Sequence, residues 1–548
     1  MNPSQTKKHV QIPIWGCIAL ILAGLGISFR IAHLDRPIYW VDEVATSMRV
    51  SGYLRDEVAR SLATGLPLSP ADLLEFQQIR RDLPWFHLLQ VLGQSPEHSP
   101  LYFLLARIWA ECFGTSVTAM RSLSVGFGLL ALPAMYGLGR SLFATPRQDT
   151  TEAGKLVGWL AMGLFAISPL FVAYAQEARP YSLWILLLIL LQRFLWRSLE
   201  QGKGWFFYTL CLILSLYTSL LTLFVVLGQG CAAIWLYPQR RRMYLLTTAI
   251  AFFVFLPWCW VAIAAWPTLQ NNTTWMQMPM PLWAILGVWF YSLAVLFFDV
   301  PVAAGMPAIM GIQIVVAIAT VSCIGYATYF LLRHAPRSLG LFVLMGGIST
   351  PLTLLAIDLI RNGQAAATTR YLMPVHLGAS IAVAYLCSYF TADRRTLPKA
   401  IALPFPIPVG RFIIVAILSV SLLSCVVGLD RTSNYQKSRN LSNPAIVHLL
   451  NQARSPQFLG EVGQIQDLIS LSYQLDPDVS IQIRPPHLSH EAWLENAVNP
   501  QQTTFLFNPS PSMKSAVQTL QIGKLQQVYE PIKLIPSQLG LTLWIIDN

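Results

Sequence analysis

Long apolar runs recur along this chain from residue 12 to residue 429, and they constrain its fold more than any other feature. At about 1.5 Å of rise per residue, crossing a bilayer core takes roughly twenty apolar residues. Runs close to that length fall at 12–29, 119–140, 156–175, 180–197, 243–265, 307–332, 339–360, 372–390 and 411–429. The stretch 204–236 is too long for one crossing, and Tyr217-Thr218-Ser219 near its middle predicts a tight hairpin of two short helices. The apolar stretches 100–113 and 282–298 are expected to lie along the interface or re-enter without crossing, which leaves about eleven crossings. Only 11% of the 548 residues are charged, about half the share usual in soluble domains.

Lysine and arginine concentrate on the cytoplasmic side of membrane proteins. Lys7-Lys8, Arg140 with Arg147 and Lys155, Arg193 with Arg197 and Lys203, Arg240-Arg241-Arg242, Arg333 with Arg337, and Arg394-Arg395 with Lys399 are therefore assigned to the inside. Keeping Arg333 and Arg337 there requires that 282–298 not cross. These clusters account for the net charge of +11; no basic stripe interleaved with aromatics points to nucleic acid. No small-residue cleavage pattern follows Phe29-Arg30, so the first run is read as a retained helix with its N-terminus inside. The eight cysteines show no metal-type spacing and read as small apolar residues.

This threading gathers 30–118, 176–179, 266–306, 361–371 and the segment 430–548 on the outer face of the plasma membrane. In the first loop, Ser69, Pro70 and Asp72 form a good helix start, and Ser99 with Pro100 repeats it. The C-terminal segment is polar and alternates strand-like runs ("FLGEV", "VSIQIRP", "TTFLFNP", "LTLWIID") with helical ones ("QDLISLSYQL", "KSAVQTLQ"). The expected fold is thus an all-α polytopic membrane module over 1–429, with interfacial helices in its loop 30–118. A small extracytoplasmic α/β domain follows over 430–548.

Four polar clusters stand out against this apolar background. Asp42-Glu43 follows Tyr39-Trp40 just beyond the first run. Taken alone, such a pair more often caps a helix in solvent. Glu177 and Arg179 sit in a turn of a few residues between two runs, where charge is expensive, and neutralise each other in the simplest reading. Arg370 and Tyr371 end another run on the side where positive residues are disfavoured, which snorkelling would explain. Glu97 and His98 precede the interfacial run 100–113. Together they describe one outward site with carboxylates for proton abstraction and guanidinium forks for phosphate.

The segments "WVDEVAT", "HSPLYFLLARIWAECFGTSVTAMRSLSV", "SPLFVAYAQEARPYSL" and "RYLMPV" resemble the GT-C class of membrane glycosyltransferases, specifically the protein O-mannosyltransferase and aminoarabinose transferase superfamily. The match spans roughly residues 12–390. The resemblance implies a sugar donor on a polyprenyl phosphate and a lipid, glycan or protein acceptor, meeting at the bilayer surface without nucleic acid. It implies catalytic roles for Asp42, Glu43 and Glu177, and substrate binding by Arg179, Arg370, Tyr371, His98 and Glu97. Where relatives hold phosphate with a cation before the interfacial helix, this chain has His98, so Arg179 and Arg370 are the better phosphate candidates. Some relatives carry a histidine where this chain has "YTSL" (217–220), and that turn is assigned no role. No metal ligand and no cofactor are assigned. An inverting transfer is expected. Two other readings are a transporter or flippase of lipid-linked sugars, which should place polar residues on broken helices at mid-membrane, and a non-catalytic envelope scaffold.

Overall fold

The computed structural model describes residues 14–144, 151–302, 306–391, 406–432, 439–531 and 540–547. Lys7, Lys8, Arg147, Arg394, Arg395 and Lys399, which helped to orient the chain, lie outside them. Among the described residues, eight helices are long and apolar enough to cross a membrane: Ile14–Ile31, Val117–Leu142, Tyr181–Gln201, Pro238–Ala264, Pro307–His334, Arg337–Arg361, Thr369–Thr391 and Ile407–Leu429. Glu152–Ala166 and Pro169–Ala175, which meet at 63°, make a ninth if the bent pair is one span. Pro169 lacks the N–H that would continue the helix. The carbonyls of Phe165 and Ala166 at the break accept instead from fully buried Arg30, at 3.2 and 2.5 Å. The hairpin expected over 204–236 forms as two short apolar helices, Trp205–Leu216 and Thr222–Leu236, of 12 and 15 residues. Leu101–Phe113 and Leu282–Ala294 have 13 residues each, too short to span.

Small residues let the helices approach closely, the usual source of packing energy where lipid supplies no hydrophobic drive. Val117–Leu142 and Glu152–Ala166 meet at Gly139 and Gly158, where a Cβ on Gly139 would lie 2.9 Å from the Gly158 Cα. Tyr181–Gln201 and Thr369–Thr391 are largely buried at the centre of the bundle, whereas Pro307–His334 and Ile407–Leu429 expose most of their apolar surface.

The C-terminal segment is the small α/β domain expected. Its strands are β1 Pro456–Gly460, β2 Ser480–Ile483, β3 Thr503–Phe507, β4 Lys524–Tyr529 and β5 Leu543–Asp547, in the order β2-β1-β3-β5-β4. β1 pairs in parallel with β2 and β3, while β5 pairs antiparallel with β3 and β4. The polar run "KLQQVY" of β4 gave no strand signal in the sequence. The edge of β2 is covered by the first loop, where Leu68 and Ile481 exchange backbone hydrogen bonds of 2.8 Å. The domain also grips the start of the helix Val41–Ser51. Asn440 Oδ1 accepts from Val41 N at 3.0 Å, and Ser470 Oγ donates to the Tyr39 carbonyl at 2.7 Å.

Of the two helix starts read from the sequence, Ser69 caps Pro70–Leu74 in a full capping box with Asp72. Ser99 does not cap Leu101–Phe113. The Leu101 N–H donates to the Tyr217 carbonyl at 2.9 Å, so the hairpin turn takes the role a side chain would have had.

Candidate active site

A cavity of about 1910 Å³ opens where the first loop, the hairpin turn 218–221, the segment 267–280, the loop 364–371 and the C-terminal domain converge. Its wall grades from Phe224, Val288, Leu354 and Ile357 on membrane helices to Arg439 and Gln466 beneath the sheet domain. Of the eight residues singled out in the sequence, Asp42, Glu97, His98, Arg179, Arg370 and Tyr371 line it. Glu43 and Glu177 are buried outside that lining.

Asp42 and Glu43 both occupy the first turn of Val41–Ser51, where the helix dipole favours carboxylates. The 100° turn between them sends their side chains apart. The Asp42 side chain is 25% exposed to the cavity, and its Oδ2 lies 3.2 Å from Arg370 Nη1 and 3.6 Å from Arg179 Nη2. Glu43 is fully buried. Its Oε1 accepts from Arg121 Nε and from the Ala178 N–H, both at 2.8 Å, and its Oε2 from Arg121 Nη2 at 2.7 Å. Arg121 also donates to the carbonyls of Leu34, Pro37 and Ile38, so one buried pair ties the first loop to the turn that carries Arg179.

Arg179 is fixed by Thr46 Oγ1 at 2.9 Å and by the Asp42 carbonyl at 3.2 Å. Arg370 lies over the faces of Trp40 and Tyr371, 5.5 and 5.8 Å from their centroids. Its loop is set by Asp358, whose two oxygens accept from the Ala365 and Ala366 N–H groups at 3.0 and 2.6 Å. Burial alone would raise the Asp42 carboxyl, but Arg370, Arg179 and Arg49 outweigh it and hold it below the ordinary carboxylate value. Burial, with Arg49, Arg179 and Arg370 adding to it, pulls His98 well below its usual 6.5. His98 is thus neutral near pH 7, and its approach of 3.8 Å to Glu97 joins no full opposite charge. Glu97 accepts from Asn272 at 3.2 and 3.3 Å, linking the first loop to the segment 267–280.

Sequence reasoning missed Arg49 and Arg439. Arg49 carried a usable signal: Asp42, Ala45 and Arg49 stand at i, i+3 and i+7 of one helix, and all three line the cavity. Arg49 donates to Ser95 Oγ at 3.1 Å, and burial lowers it to about 10, leaving it charged at neutral pH. Arg439, paired with Asp467 at 3.0 and 2.6 Å, reaches the site only through the docking of the C-terminal domain. The "YTSL" turn, given no role, contributes Thr218, Ser219 and Leu220 to the wall. Among the described residues, no three His, Cys, Asp or Glu side chains meet where they could hold a metal ion.

No family model matches the chain, and no curated protein does. Among solved structures it is similar to ArnT from Cupriavidus metallidurans in the apo state, at 12% identity over 97% of each chain with a TM-score of 0.49. ArnT from that organism bound to undecaprenyl phosphate matches at 14% identity over 97% of each chain, TM-score 0.41. The Archaeoglobus fulgidus oligosaccharyltransferase in its apo form matches at 9% identity over 92% of this chain and 70% of that one, TM-score 0.47. Likenesses this distant leave the function to be argued from the residues of the site.

Proposed function

We propose that this chain is a membrane glycosyltransferase of the GT-C kind. It would move a sugar from a polyprenyl-phosphate donor to an acceptor hydroxyl or amine at the outer face of the plasma membrane. The observation that carries this reading is the Asp42 carboxylate, turned into the cavity and met there by arginines from two other elements. A carboxylate suits removal of the acceptor's proton, and guanidinium groups suit a departing phosphate. The cavity's graded wall supports a substrate that is half lipid and half sugar.

In this reading Asp42 is the base that takes the acceptor's proton as the acceptor attacks the anomeric carbon, with inversion. Arg370 and Arg179 hold the phosphate that leaves. Glu43 and Glu177 are positioning residues, supporting the first loop and the turn that carries Arg179. Tyr371, His98 and Glu97 shape the wall as polar groups, with His98 contributing no charge.

The test is complementation of source cells lacking the protein, by wild type or by Asp42→Asn at equal membrane levels, followed by profiling of polyprenyl-phosphate lipids and envelope sugars. The expected outcome is that Asp42→Asn matches the deletion, with one lipid-linked sugar accumulating and one envelope sugar missing. Full rescue by Asp42→Asn would remove the base and favour a transporter or scaffold.

A further inference from the structure

A carboxylate gripped by arginines is a weak base, because the charges that hold it also lower its proton affinity. Asp42 is in that position, and yet the mechanism asks it to accept a proton. The contacts of the two arginines differ in a way that resolves this. Arg179 is anchored independently of the Asp42 carboxylate, through Thr46 Oγ1 and the Asp42 backbone carbonyl. Both arginines leave Nε without an acceptor among the described residues, but Arg370 has no such anchor: beyond Asp42 it lies over the faces of Trp40 and Tyr371, with Tyr181 and Tyr174 also near it. At the other end of the pair, Asp42 Oδ2 receives charge at 3.2 and 3.6 Å but accepts no hydrogen bond from the described residues. The contact between Asp42 and Arg370 is therefore loose on both sides and lies on the cavity wall, where a phosphate oxygen offers the better bidentate partner.

We infer that Asp42 and the donor phosphate compete for Arg370, so that donor binding itself releases the base. This rests on the function proposed above and adds an order of events to it. The phosphate first takes the Arg370 fork, and Asp42 turns towards the acceptor. The acceptor's proton then moves to the Asp42 carboxylate as its oxygen or nitrogen bonds to the anomeric carbon. The carbon–oxygen bond to phosphate breaks with its electron pair going to the phosphate, already paired with Arg370. The other charged groups facing Asp42 are Arg49 from its own helix, Arg179 from the neighbouring turn and Arg439 from the C-terminal domain, all cationic. They keep Asp42 ionised until the acceptor's proton arrives, so the exchange changes its partner and basicity, not its resting charge.

Competition has an unusual signature, because removing the catalytic carboxylate should improve donor binding. The probe is a polyprenyl phosphate titrated onto the full chain in nanodiscs of uncharged lipid. The expected result is that Asp42→Asn binds roughly tenfold more tightly than wild type, and that Asp42→Glu, which keeps the competing charge, binds like wild type. Arg370→Gln should weaken binding, and D42N/R370Q should bind no more tightly than R370Q alone. If Asp42→Asn does not fold, Asp42→Ser provides the same comparison. Equal or weaker binding by the folded neutral variant, with wild type binding normally, would overturn the competition and leave the proposed function standing. No binding of the probe by wild type would overturn both.

Discussion

Two ion-pair sites begin one residue apart and are built on opposite plans. Glu43 and Arg121 are sealed in the protein, and every Glu43 oxygen is engaged by guanidinium or backbone donors at 2.7–2.8 Å. Asp42 and Arg370 face a cavity at 3.2 Å, each with an atom that lacks a hydrogen-bond partner among the described residues. On the proposed function, neighbouring carboxylates on one helix turn would thus take a structural and a chemical role, because the helical rotation sends one inward and the other to the wall. The lesson is that saturation of a charged group marks scaffolding, and unsatisfied capacity beside a cavity marks ligand binding.

Substitutions can break this contrast. The largest stability effect should come from Glu43→Ala, which leaves Arg121 buried without its carboxylate; a loss of roughly 3–5 kcal/mol is expected, seen as a collapse of thermal stability in detergent. Asp42→Asn should do the reverse, keeping the melting temperature near wild type while transfer falls by roughly 10²–10⁴-fold in a membrane assay. A destabilised Asp42→Asn that keeps its activity would merge the two sites into one structural cluster. Arg370→Lys retains charge but loses the planar fork, so transfer should fall by about tenfold or more, with stability unchanged. The smallest effect concerns His98. Because burial and arginines hold it well below 6.5, the rate should show no step near that value across about pH 6 to 8, and His98→Gln should leave the profile's shape unaltered. Asp42 follows the acid rule for a depressed carboxyl: what it contributes is complete above about 3.8 and lost as pH falls further.

Much of this molecule was legible from hydropathy alone, since a span needs some twenty apolar residues and the chain supplies them in clear runs. Even the short Leu282–Ala294 and the hairpin at 217–221 were visible, one from charge placement and the other from length. β4 was not, because "KLQQVY" at the exposed end of a sheet carries no apolar alternation. Ser99 looked like a cap because local sequence cannot reveal a carbonyl arriving from Tyr217, more than a hundred residues away. At the site, the residue types were readable but their partition was not. Asp42 and Glu43 look alike in sequence, and only the position of Arg121, 78 residues on, distinguishes them. Arg439 was hidden for the same reason, as its approach depends on a domain docking onto the first loop.

The most direct test of the central claim, that the Asp42–Arg370–Arg179 cluster is a phosphate site for a lipid-linked sugar, is native mass spectrometry of the protein released gently from its own membranes. The account predicts that wild type carries a polyprenyl-phosphate lipid, bare or glycosylated, that Arg370→Gln loses it, and that Asp42→Asn retains it. Wild type carrying only bulk phospholipid, or Arg370→Gln carrying the same polyprenyl lipid undiminished, would contradict it.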